Sequence, residues 1–552
     1  MKPQSHLLAA AAIFCLITLS CGGGGASGGG SNRGNPPPAQ SGNYVIATWS
    51  ELGMHCTDGK DYSIFSVLPP YNTVRAQVLK RGNPPTLVTG GITLTYEATA
   101  DSTGSINTVS SNKTNFWDHA RALFLNGAAP DVGLTGNKVQ SATPQPLVYD
   151  ASLQVWEAVG IPTVPYDDKG NRQAYPMAKI VARDASGAQV ADSTVVLAVS
   201  DELTCSNCHA SGSDAAAKPA AGWENNPDSG KDTKLNILRK HDERWNISGY
   251  LSALQSSGYT YQASLYETAM SGTPVLCAAC HSTNALGAAG IAGINPVTQD
   301  MHTLHGPLIN PSTGTSLDQA TTPEQSCYLC HPGVQTKCQR GAMHTVACFD
   351  CHGNLTKVGA PTREGWLDLP ACQMCHSNSV RYLSTFDPAT GNWRVSNDSV
   401  FATTPNKPVA GKSLYRFSSG HGTMYCTSCH GSTHAEYPTV QPNDNVYSTA
   451  LQGYAGKLTE CGICHTVVPT TADGGAHGLH NIGQDWVNNH HTYASGGGYT
   501  QCAYCHGSSY QGTVLSRTSQ QRTFSVEEGG QKIFANGQAV SCYDCHDGPN
   551  GG

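Results

Sequence analysis

Nine copies of the pattern Cys-x-x-Cys-His lie after residue 200, and they limit what the rest of the chain can be. The copies are Cys205-Cys208-His209, Cys277-Cys280-His281, Cys327-Cys330-His331, Cys348-Cys351-His352, Cys372-Cys375-His376, Cys426-Cys429-His430, Cys461-Cys464-His465, Cys502-Cys505-His506 and Cys542-Cys545-His546. Cysteine and histidine each number 22 of 552 residues, so chance placement yields on the order of 0.04 copies. Each copy reads as an attachment site for a c-type haem. The two thiols are placed to form thioethers with the vinyl groups, and the adjacent histidine to sit under the iron as proximal ligand. A zinc ribbon pairs one Cys-x-x-Cys with another and has no reason to place histidine after each. A thioredoxin-type redox pair occurs once per domain, beside a βαβ pattern that is not seen here.

Composition agrees with a core that the polypeptide does not supply alone. Only 13% of residues are charged and 39% apolar, with 60 glycines and 31 prolines. That is loop-like for a chain long enough to hold more than one domain. After residue 200 each motif has about 39 residues of chain, so nine haems would themselves be the core and the polypeptide their wrapping. The formal charge is −7, and nine haems with ionised propionates add roughly −9. An acidic product of this kind excludes nucleic acid as a natural partner and suits a basic protein or a mineral or metal-ion acceptor.

In chain order, residues 1–20 read as an export signal, with Lys2 followed by an apolar run over 7–19 that is too short to span a membrane. The run ends at Cys21, before four glycines, in the manner of a bacterial lipoprotein signal with Cys21 as the lipidated N-terminus. Thr18 stands where leucine is usual, and simple secretion is the alternative. Residues 21–43 read as the anchor cysteine and a flexible tether, stiffened by Pro36-Pro37-Pro38. Export suits the haem reading, because c-type attachment in bacteria takes place outside the cytoplasm.

Residues 44–200 carry no motif. β-Rich runs at 44–49, 74–79, 92–98, 146–156, 177–182 and 193–199, separated by turn residues, predict a β-sandwich-like domain with one short helix near 115–125. Met54-His55-Cys56 offers copper-type ligands. The plainer reading is structural, and His55 as a distal haem ligand is a third. Cys56 and Cys338 are the mature cysteines left over from the motifs and Cys21, and an exported protein can oxidise them to a bridge. Residues 201–552 form the expected nine-haem domain, loop-rich with short helices. A motif-free stretch at 381–411 is a candidate boundary between five-haem and four-haem parts.

Supply of distal ligands separates a conduit from an enzyme. After residue 200, outside the motifs, the chain holds His241, His302, His305, His344, His421, His434, His477, His480, His490 and His491. Adjacent His490 and His491 count as one, with His490 the candidate, so the supply is one histidine per haem. Met301, Met343 and Met424 are possible substitutes. An iron held by two histidines has no vacant position for substrate and suits electron transfer.

Several stretches resemble the outer-surface multihaem c-type cytochromes of Geobacter-type metal-respiring bacteria. They are Glu51 to Cys56 with Asp61 to Tyr71 (DYSIFSVLPPY), Ser200 to His209 (SDELTCSNCH), Cys327 to Met343 (CYLCHPGVQTKCQRGAM), Gly420 to Pro438 (GHGTMYCTSCHGSTHAEYP) and Cys502 to Ser516 (CAYCHGSSYQGTVLS). The resemblance runs from about residue 44 to the end. It implies an exported electron carrier, an outer-membrane lipoprotein or an extracellular or periplasmic protein, attached to membrane by its lipid alone. Implied partners are other multihaem cytochromes, porin–cytochrome complexes and insoluble metal oxides. Two alternatives remain open. One is a multihaem oxidoreductase of the nitrite, hydroxylamine or tetrathionate type with one open haem, although no Cys-x-x-Cys-Lys occurs. The other is a subunit of a haem filament, with the β-rich domain as docking surface.

Overall fold

Alternating apolar residues between 44 and 196 build an eight-stranded antiparallel sheet. Its strands are β1 (Tyr44–Ser50), β2 (Asn72–Lys80), β3 (Thr86–Val88), β4 (Ile92–Thr99), β5 (Gln145–Asp150), β6 (Val155–Ile161), β7 (Met177–Asp184) and β8 (Gln189–Val196). They lie in the order β1-β2-β6-β5-β4-β7-β8, with β3 on β2. Register runs from Tyr44 opposite Lys80 to Ser50 opposite Val74, and from Ile92 opposite Asp184 to Thr99 opposite Met177. The expected sandwich is instead one curled, nearly barrel-like sheet. Strand β5 pairs with both β6 and β4, joining what would have been two layers, and Ile46 of β1 shares a core with Val195 of β8 at the other edge. The run at 146–156 is a hairpin, turning through Gln154 at φ 56°.

This computed structural model describes residues 42–549, apart from 369, 378–379, 396–406, 409–415, 470–474 and 528. The expected export signal, Cys21, nearly all of the tether and much of the 381–411 stretch lie outside the described residues.

The expected helix is α1 (Phe116–Phe124), where Phe116, Ala120 and Leu123 share one face at helical spacing and are buried. That face joins Tyr62, Leu254, Leu276, Ala278 and Ala279, so it covers the second motif. Beyond residue 200 the chain forms α2 (Ser229–Arg244) and α3 (Val297–His305), and otherwise mostly single turns and two-residue strands. Asp228 starts α2 by accepting hydrogen bonds from the N–H groups of Gly230 and Lys231. Among the described residues no helix is long and apolar enough to cross a membrane.

Residues 37–552 form one compact unit, and polar contacts hold the motif-bearing chain to the sheet region. His55–Cys56 pairs in parallel with Val199–Ser200, and Phe65–Ser66 with Val275–Leu276. The Glu202 carboxylate accepts from the N–H groups of Val334, Gln335 and Thr336 and from the Thr336 hydroxyl at 2.8–2.9 Å. Burial alone would raise this carboxyl, but those donors overcome it and hold it below its usual value. Arg340, fully buried, forms a two-pronged ion pair with Asp444 at 2.6 and 2.9 Å and donates to the Gly53 carbonyl.

Candidate metal centres

Each motif folds as one tight helical turn. The histidine N–H donates to the carbonyl of the first cysteine four residues back, at 2.9 Å for His209, 3.0 Å for His281, 2.8 Å for His331 and 2.9 Å for His465. Such a turn sets both cysteines on one side and projects the histidine next to them. Gly353, Gly431 and Gly507 follow three of the motifs at φ of 76°, 90° and 83°, ending those turns in a conformation that side chains rarely take.

Opposite seven motif histidines stands a second imidazole. Ring centroids are 6.5 Å apart for His209 and His305, 6.1 Å for His331 and His302, 5.9 Å for His352 and His434, and 6.1 Å for His430 and His477. They are 6.1 Å apart for His465 and His421, 6.4 Å for His506 and His480, and 5.9 Å for His546 and His490. Two imidazoles bound to one metal through Nε2, each by a bond of about 2.0 Å, put their centroids roughly 6.3 Å apart. All seven separations lie within half an ångström of that value. Ring planes are nearly parallel for His302/His331 (15°), His480/His506 (9°) and His490/His546 (16°). They are steeply inclined for His209/His305 (71°), His352/His434 (72°) and His430/His477 (65°), with His421/His465 between at 42°.

The tautomers suit metal binding. Nδ1–H donates to a backbone carbonyl in His302 (Thr298, 2.6 Å), His305 (Met301, 2.7 Å), His480 (Asn481, 2.7 Å), His490 (Val487, 2.9 Å), His506 (Val540, 2.8 Å) and His546 (Gly548, 2.7 Å). That leaves Nε2 as the lone-pair nitrogen. Burial first, and then the facing imidazole, pushes His209 and His302 down to about 4 and His352 down to about 3. Burial likewise takes His430 to about 3 and His434 and His480 to about 4, so these rings are neutral near neutral pH. His421, His434 and His477 sit at φ of 44°, 64° and 57°. A non-glycine residue there costs on the order of 1–3 kcal/mol, and such strain gathers at functional sites.

The sites adjoin one another. His302 and His305, one helical turn apart on α3, face the third and first motifs. Cys327 and Cys348, from the third and fourth motifs, lie side by side. Cys429 and Cys464, from the sixth and seventh, border one small apolar cluster. Trp486 stacks on His480 at 3.9 Å and 6° and lies 6.2 Å from His490, between the rings that face the eighth and ninth motifs. A cavity of about 290 Å³ lies beside Cys327, lined in part by Phe349, Leu355 and Phe386.

Not every expected residue reaches a motif histidine. His241 lies against Trp245 at 5.4 Å, and His344 bonds the Gly341 carbonyl through Nδ1 at 3.2 Å; neither ring faces a motif histidine among the described residues. His281 bonds the Asn295 carbonyl at 2.9 Å, and among the described residues no imidazole stands across from it. His491 opens the next turn after His490 and is not the facing ring. Cys56 and Cys338 stand as free thiols in this structure, near enough for each to act on the other electrostatically. The Cys338 sulfur turns instead to Nδ1 of His434, at 3.6 Å. His55 is buried against Tyr71 and Trp366 at 5.0 and 6.2 Å, and burial pushes it down to about 4. Successive strand residues point to opposite faces, which separates His55 from Cys56, and among the described residues no group of three metal-binding side chains forms there. Trp486 and Arg340 escaped the sequence reading, because nothing local marks a tryptophan that braces a ligand or an arginine that pins a loop.

No protein-family model, curated protein or solved structure gives a match to this chain.

Proposed function

We propose that the chain is an exported electron carrier holding nine covalent c-type haems, most with two histidines on iron. The observation that carries this reading is the set of seven imidazole pairs at 5.9–6.5 Å, each joining a motif histidine to a distant one. In this reading the cysteine pairs would hold the cofactor covalently, and the facing imidazoles would ligate its iron. Bound haem supplies an iron that alternates between ferric and ferrous states with its ligands unchanged. The polypeptide fixes ring orientation through the Nδ1 bonds and keeps water from the ligand nitrogens by burial. Contact between successive sites supports a conduit rather than nine isolated carriers. The acidic surface and the tether support service outside the cell or at the outer membrane, delivering electrons to partner cytochromes or metal oxides.

A second reading has a specific observation behind it. His281 faces no imidazole among the described residues, so the second motif is where an exchangeable ligand and oxidoreductase chemistry would be sought. Haem quantification and low-temperature EPR on one oxidised sample separate the two. Nine haems with only low-spin signals support the carrier. The steep pairs are expected to give the more anisotropic low-spin signals, and the parallel pairs the more rhombic ones. One stoichiometric high-spin signal that binds carbon monoxide on reduction brings the enzyme forward, and absence of covalent haem overturns both.

A further inference from the structure

Four of the seven facing imidazoles, His302, His305, His480 and His490, donate Nδ1–H to a backbone carbonyl at 2.6–2.9 Å. His434 is built differently: its Nδ1 meets the Cys338 sulfur at 3.6 Å. The contact is held from both sides. The N–H groups of Arg340 and Gly341 donate to the His434 carbonyl at 2.8 and 2.7 Å, and the His434 N–H donates to Glu436 at 3.0 Å. The buried Arg340–Asp444 pair anchors this crossing. Cys338 borders an apolar cluster of Met54, Met177, Val196 and Ala198, where its sulfur is a neutral thiol.

A thiol sulfur is a weaker hydrogen-bond acceptor than a carbonyl oxygen. The acceptor behind a ligating imidazole sets how much negative charge the ring carries and how well it donates to the metal. A poorer donor stabilises the ferric state less and raises the reduction potential. Resting on the haem reading above, we propose that Cys338 is a positioning residue that weakens His434 as a ligand. The Cys348-Cys351-His352 site thereby becomes a higher-potential step than its carbonyl-backed neighbours.

Two variants of the full-length holoprotein test this in a spectroelectrochemical titration, with haem counted on each sample. Cys338→Asn is nearly equal in volume and brings an amide carbonyl towards Nδ1. One of the nine sites is expected to shift to lower potential by about three- to tenfold in its redox equilibrium constant, tenfold being 59 mV for one electron. Cys338→Ala removes the acceptor, and the same site is expected to move the other way. A role in packing alone predicts no shift, or shifts of the same sign in both variants, and either result overturns the proposal while nine low-spin haems leave the carrier reading standing. If Cys338→Asn fails to load haem, the upward shift in Cys338→Ala decides. Wild-type protein without covalent haem overturns the reading and the proposal together.

Discussion

In the sheet, sixteen buried side chains from Ile46 to Leu197 touch one another as a single apolar core, enough to bind the strands without help. Beyond residue 200 the largest apolar clusters draw on the sheet region for part of their membership, as Ile64 and Phe65 join Leu235 and Leu238. What lies there instead is largely half-buried imidazole and thiol with buried polar loop, held in single turns. Nδ1 of His209 and of His465 is shielded from solvent with no hydrogen-bond partner among the described residues. A polypeptide that gathers half-buried imidazoles in facing pairs, three of them on strained backbone, lacks its own reason to be so compact. On the proposed haem reading, the contrast shows where cofactor and chain would each supply cohesion.

On the proposed haem reading, withholding attachment is the strongest way to break this contrast. The haem-free chain is expected to lose protease resistance beyond about residue 200 while the strands of 44–196 stay protected, read as fragment masses after limited digestion. Uniform digestion would mean that the two regions stand or fall together. Leu94→Ala, in the sheet core at 1% exposure, is expected to cost about 2–5 kcal/mol by denaturant unfolding and to leave nine haems and their low-spin signals unchanged. A loss of haem from that variant would contradict a self-sufficient sheet. His55 sharpens the boundary between the regions. Its folded-state value of about 4 lies below the ordinary histidine value of 6.5, so the unfolded chain takes up its proton first as pH falls. Its contribution is complete above pH 6.5 and is lost between 6.5 and about 4, by about 3 kcal/mol. Denaturation midpoints of wild type and His55→Leu across that range test it; equal slopes would assign the acid sensitivity elsewhere.

Most of the sheet was legible because strand alternation is a local signal. The curled single sheet was not, because β5 joins two halves through pairings with β4 and β6, and the residues at 151–154 that turn the chain read as more strand. The nine motif turns were legible, since the five-residue pattern is itself one turn of helix. Of the nine distal candidates, His302, His305, His421, His434, His477, His480 and His490 face motif histidines, whereas His241 and His344 lie elsewhere among the described residues. Nothing in a histidine's neighbours tells these groups apart.

The sequence alone determined how many Cys-x-x-Cys-His turns there are, which cysteines and histidines form them, and that the chain as a whole is loop-like in composition. Those properties sit within a few bonds of one another. Only the tertiary structure decided that His434 meets His352 from 82 positions further along the chain, and that Cys338 backs it in place of a carbonyl. Which ring faces which depends on how distant turns are pinned by Arg340, Asp444 and Glu202, and a ladder of long-range hydrogen bonds leaves no periodic trace in the chain.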